Sequence, residues 1–98
     1  MRLEDLREIA VPMCIKFNVK RLDLFGSHAR GEDTPLSDLD LLVEFDSPED
    51  KISKRFFGLL HQLEDTLNCQ IDLLTVNGLR NPYFRRNVLK NRINIYEG

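Results

Sequence analysis

The sequence predicts an α/β (α+β) fold, a small mixed β-sheet of three to four strands flanked by helices. Three observations carry that expectation. Helix-period and strand-like apolar segments follow one another in the order α-β-turn-β-α-β-α-β. The 98 residues have the length of one domain, 1–98, and a chain of this size buries about 65% of its unfolded surface. Composition is that of a soluble globular chain, with 42% hydrophobic and 31% charged residues.

Leu3, Leu6, Ile9, Ala10, Met13 and Phe17 recur at three- and four-residue steps and predict a helix over 2–17. Pro12 falls inside it, so a kink or an early end is expected there, and Asn18 is a reasonable stop. Lys20 to Phe25 reads as a strand. The stretch Gly26-Ser27-His28-Ala29-Arg30-Gly31 suits a turn opening one helical turn, and Glu32 to Ser37, with Pro35, reads as loop. Leu39 to Phe45 is the strongest strand, with Leu39, Leu41, Val43 and Phe45 on one face and Asp38, Asp40, Leu42 and Glu44 on the other.

Ser47-Pro48-Glu49-Asp50 then resembles a helix start, Ser47 as N-cap, Pro48 at the first position and Asp50 as the capping-box acid. That helix extends to about Leu67. Gln70 to Val76 predicts a third strand, Asn77-Gly78 a turn, Pro82 to Lys90 a short basic helix, and Ile93 to Tyr96 an edge strand.

No apolar run reaches the roughly 20 residues of a membrane span, and Met1-Arg2-Leu3-Glu4-Asp5 has no signal-peptide pattern. A cytoplasmic location is expected. Cys14 and Cys69 stand far apart without metal-ligand spacing and read as reduced core or half-core thiols. The net charge of −2 conceals an uneven distribution. Residues 31–50 hold eight acidic groups and no basic one, whereas residues 80–98 hold five basic groups against Glu97 alone. Such runs are commonly solvated faces, but crowded carboxylates also suit a divalent cation.

Asp38 and Asp40, at i and i+2 on a strand, point the same way, roughly 6–7 Å apart. Such a pair caps turns at a strand end or, with hard oxygen donors, binds magnesium or manganese. Gly26-Ser27 after a strand is a plain tight turn, or a place where backbone amides and a hydroxyl approach phosphate. Arg30 meets a phosphate or solvent. Asp72 interrupts the apolar stretch Gln70-Ile71-Asp72-Leu73-Leu74, so a buried salt bridge or a metal is expected to accompany it. Were its strand beside that of Asp38 and Asp40, three carboxylates would meet in a layout suited to two-metal nucleotidyl transfer.

Gly26-Ser27, ten residues, then Asp38-Leu39-Asp40 resembles the motif of the DNA polymerase beta-like nucleotidyltransferases. Within them the chain is similar to the minimal nucleotidyltransferases (MNT), stand-alone domains of about this length, and to MntA-like antitoxins of HEPN/MNT toxin–antitoxin pairs. The resemblance implies the polymerase beta palm-like fold. It assigns nucleotide binding to Gly26, Ser27 and Arg30, and catalysis and metal ligation to Asp38, Asp40 and Asp72. It further implies two Mg2+ ions, with Mn2+ as an alternative, and ATP as substrate.

The activity it implies is transfer of AMP from ATP to a hydroxyl, a tyrosine of a partner HEPN ribonuclease toxin. The resemblance thus points to a helical toxin partner, a homo- or hetero-oligomer, no membrane and no direct nucleic-acid contact. A nucleotidyltransferase for a small molecule, and a non-catalytic antitoxin that masks its partner by binding, are the alternatives. His28 and His61 receive no role. Arg80, Arg85, Arg86, Lys90 and Arg92, with Tyr83 and Phe84, form a surface for an acidic partner or RNA, or merely a soluble helix face.

Overall fold

The computed structural model, which describes residues 2–32 and 38–98, bears out the predicted element order. Helix α1 (Leu3–Lys16) leads to strand β1 (Val19–Phe25) and the five-residue helix α2 (Gly26–Arg30). Strand β2 (Leu39–Phe45), helix α3 (Ile52–Leu67) and strand β3 (Ile71–Thr75) follow, and a 3-10 turn (Val76–Gly78) precedes helix α4 (Pro82–Lys90) and strand β4 (Ile93–Glu97). The expected loop over 33–37 lies outside the described residues.

The strands form one mixed sheet in the order β3-β2-β1-β4. β2 and β3 run parallel, which needs a crossover, and α3 supplies it. β1 is antiparallel to both β2 and β4. Alternation along each strand divides the sheet into two faces. On one face Leu22, Leu24, Leu39, Leu41, Val43 and Leu73 pack beneath Leu6, Ala10 and Cys14 of α1 and Leu59 and Leu63 of α3. On the other, Phe25 and Leu42 form a smaller cluster with Leu79 and with Val88 of α4. Asp40, two residues before Leu42 and on the same face of β2, therefore points to the thinly covered side.

Two local expectations are corrected. α1 does not end early at the exposed Pro12 but continues to Lys16, because Cys14, one turn beyond Ala10 and two beyond Leu6, is fully buried in the core. Packing there outweighs the hydrogen bond that proline cannot donate. The second correction concerns the start of α3. Ser47 is not its N-cap; it has φ 47° and its carbonyl accepts the Asp50 N–H at 3.0 Å, so 47–50 is a turn and the helix begins at Ile52.

Arg55 accounts for that turn. Its guanidinium donates to the carbonyls of Phe17 (3.0 Å), Asn18 (2.8 Å), Asp46 (2.6 Å), Ser47 (2.9 Å) and Asp50 (2.9 Å). A guanidinium has five N–H groups, so each finds one carbonyl. The same group lies 4.9 Å from the centre of the Phe45 ring. The segment after β2 wraps around this cation instead of opening a helix.

Candidate active site

β1 ends with Phe25 directly opposite Asp40 on β2, so the chain leaves the sheet beside that carboxylate. Gly26 has φ 75°, a left-handed backbone that glycine adopts at little cost. A Cβ at this position would lie 3.0 Å from Asp40 Cγ and would collide with its Oδ2. The turn can come this close only because residue 26 has no side chain. Ser27 follows in the first turn of α2, its carbonyl accepting the Glu32 N–H at 2.9 Å. Parallel pairing of β2 with β3 sets Asp72 beside Asp40.

These residues meet in a cleft of about 480 Å³. Asp40 and Asp72 line it together with Gly26, Ser27 and Arg30, and α4 contributes Phe84, Asn87 and Asn91. A larger cavity of about 560 Å³ at the other ends of β2 and β3 holds none of the predicted site residues. The carboxylates and the open glycine turn make the smaller cleft the chemically equipped one.

Burial pushes the Asp40 carboxyl up from its ordinary pKa, and the negative charges of Asp72 and Asp38 push it further. His28 and Arg30 act in the opposite direction, so both basic side chains lie within electrostatic reach of Asp40. His28 is half-buried. Arg30 is exposed and pairs with Glu32 at 3.2 Å. Asp38 is exposed just ahead of β2 and does not line the cleft.

Asp72 is not buried, contrary to the expectation drawn from its apolar neighbours. β3 is an edge strand, and its face bearing Asp72 opens on the cleft, so the carboxylate is exposed while Ile71 and Leu73 are buried. Among the described residues Asp72 has no ion-pair partner, which removes the buried salt bridge as its explanation. Among them, too, no three His, Cys, Asp or Glu side chains stand as a ready metal cage. Cys69, expected as a half-core thiol, is exposed before β3, whereas burial raises the Cys14 thiol to about 12.

Sequence reasoning missed two features. The first is the α4 side of the cleft, Phe84 and Asn87 with Asn91 at the helix C-cap, whose three- and four-residue spacing is the signal that could have found it. The second is Asp23, 1% exposed, which accepts from Arg21 Nε (2.9 and 3.1 Å), Arg92 Nη1 (3.3 Å) and Asn94 Nδ2 (3.1 Å). Arg92, read as part of a basic surface, is committed to this knot. Among the described residues no helix is long and apolar enough to cross a membrane.

Residues 6–95 match the nucleotidyltransferase domain family, and the chain belongs to that family. A Methanocaldococcus jannaschii protein provisionally named a protein adenylyltransferase is 40% identical over 73 residues, 74% of this chain and 73% of its own length. The solved structure of a provisionally named minimal nucleotidyltransferase superposes with a TM-score of 0.78 at 36% identity, covering 95% of both chains. A toxin–antitoxin crystal structure with AMP-PNP gives a TM-score of 0.73 at 18% identity, covering 94% of this chain and 73% of that one. The tri-AMPylated Shewanella oneidensis HEPN toxin in complex with its MNT antitoxin gives 0.66 at 17% identity, covering 99% and 74%. The last two are likenesses of fold.

Proposed function

We propose that this chain transfers AMP from ATP to a hydroxyl of a protein partner, a tyrosine of a HEPN-family toxin, and so acts as the antitoxin of that partner. The observation that carries the reading is the glycine turn seated against Asp40, with Asp72 beside it on the parallel strand. The names of its relatives, protein adenylyltransferase above all, support the choice of donor and acceptor.

In this reading the Gly26 and Ser27 amides and the Ser27 hydroxyl bind the phosphates, with Arg30 at their edge. The acceptor oxygen attacks the α-phosphorus; a new P–O bond forms, the α–β bridging bond breaks, and pyrophosphate leaves. The hydroxyl proton passes to the Asp72 carboxylate, which is open to the cleft. The donor set fits a hard cation: Asp40 and Asp72, with Asp38 nearby, are all oxygen ligands, and the mutual repulsion felt at Asp40 is what a cation relieves. When bound, Mg2+ would neutralise charge on the phosphates.

The test is a melt with magnesium and a non-hydrolysable ATP analogue. The wild type gains thermal stability through ligand linkage. Asp38→Asn combined with Asp40→Asn loses the magnesium-dependent gain yet melts no earlier than the wild type without ligand. Retention of the full gain in the double mutant would refute the assignment.

A further inference from the structure

One side of the cleft takes no part in the phosphate chemistry just described. It consists of Phe84, Asn87 and Val88 on one side of α4 and Asn91 at its C-cap. Phe84 is 46% exposed, although its ring stands edge-on to Phe25, with centroids 6.4 Å apart and planes at 76°. Phe25 immediately precedes the Gly26 turn, so a single residue braces the aromatic wall and leads into the phosphate-binding backbone. The helix start is fixed as well: Asn81 accepts the N–H groups of Tyr83 (3.0 Å) and Phe84 (3.2 Å), and Pro82 occupies the first position. Arg85, Arg86 and Lys90 are exposed and do not line the cleft.

We infer that this face of α4 is a nucleobase subsite selective for adenine, in which Phe84 stacks on the base and Asn87 and Asn91 read its edge. The inference rests on the nucleotide-binding reading above and deepens it. An exposed aromatic ring in a cleft offers a stacking surface to any base. Selectivity then depends on the polar neighbours. A carboxamide presents both a donor and an acceptor, matching the N6 amino group and N7 of adenine. Guanine offers two acceptors, O6 and N7, along the corresponding edge and is suited by a cationic donor.

This wall has two carboxamides and no cation. Asn91 Nδ2 donates to the Asn87 carbonyl at 3.2 Å, which holds that side chain along the helix face. Among the described residues the Asn87 carboxamide makes no hydrogen bond. A phenolic acceptor would use the stacking ring but has only one hydroxyl to satisfy two amides, so the base is the better match.

Calorimetric titration with ATP, GTP and inorganic tripolyphosphate, each with magnesium, tests this on wild type, Phe84→Ala, Phe84→Leu and Asn87→Ala. Phe84→Leu keeps apolar cover over Phe25 while removing the ring. Both Phe84 variants are expected to weaken ATP by about 10- to 100-fold and to leave tripolyphosphate unchanged. Asn87→Ala is expected to lower the preference for ATP over GTP by about 10-fold. The subsite is overturned if the Phe84 variants bind ATP as the wild type does, and a fall in transfer alone would then give this wall to the acceptor. It is also overturned if they lose ATP and tripolyphosphate together, since the ring would then merely support the Gly26 turn. A wild type that binds neither ATP nor tripolyphosphate would instead refute the nucleotide reading itself.

Discussion

Asp23 and Asp40 sit on adjacent strands and the same face of the sheet, yet their surroundings are opposite. Asp23, opposite Leu42, is buried and accepts from two arginines and an asparagine. Asp40, opposite Phe25, is half-buried and has two further aspartates as its strongest charged neighbours. The chain itself answers the first carboxylate with cations. It sets like charge as the strongest charged influence on the second, ahead of His28 and Arg30, and opens it to a cleft. A carboxylate satisfied from within serves the fold, and one left repelled by its neighbours is equipped for a ligand.

Breaking the first cluster should have the largest effect on stability. Asp23→Ala strands Arg21 and Arg92, and removal of one partner of a buried charge pair costs about 3–5 kcal/mol. Both arginine side chains are 28% exposed and can turn to water, so the lower end, about 3 kcal/mol, is expected. That corresponds to a Tm lower by more than about 10 °C for a domain of this size. A loss within about 0.5 kcal/mol, as at an ordinary surface site, would show that the knot contributes little.

Gly26→Ala comes next, and it acts on the cleft. The left-handed backbone alone costs an alanine about 1–2 kcal/mol, and the added Cβ drives against Asp40. A denaturant melt should register that loss, while nucleotide binding falls well beyond what the melt accounts for. If binding survives, the close approach of the turn to Asp40 is not required.

The smallest effect is a pH dependence. The folded Asp40 pKa is raised, so its contribution to stability is fully present below the unfolded carboxylate pKa and is lost as pH rises through the folded value. Without added cation, the gap in stability between Asp40→Asn and wild type should therefore move in favour of the mutant from about pH 3 to pH 7. Urea melts across that range measure it. A gap that moves the other way would mean that the charged form of Asp40 is favoured by its surroundings.

The difference between the clusters also explains what the sequence reveals. The Asp38–Asp40 spacing and the Gly26-Ser27 turn are local, and alternation along β2 puts Asp40 on the polar side without knowledge of the fold. Asp72 beside Asp40 follows once the two strands pair in parallel. Asp23 has no such local signature, since Arg92 and Asn94 reach it from 69 and 71 residues away. Arg55 likewise gathers carbonyls from 37 and 38 residues upstream, which is why the capping pattern at Ser47 misled. Phe84 was read only as part of a basic surface, because what its side of α4 looks upon depends on the sheet order.

The central claim is that Asp72 serves chemistry and leaves the fold to others, and Asp72→Asn tests it most directly. The substitution is nearly isosteric at an exposed position without an ion-pair partner among the described residues, so stability should stay within about 1 kcal/mol of wild type. Transfer of AMP from labelled ATP to the proposed HEPN-family partner should meanwhile fall by about two or more orders of magnitude. A mutant that unfolds early but, while folded, transfers AMP at the wild-type rate would contradict the account.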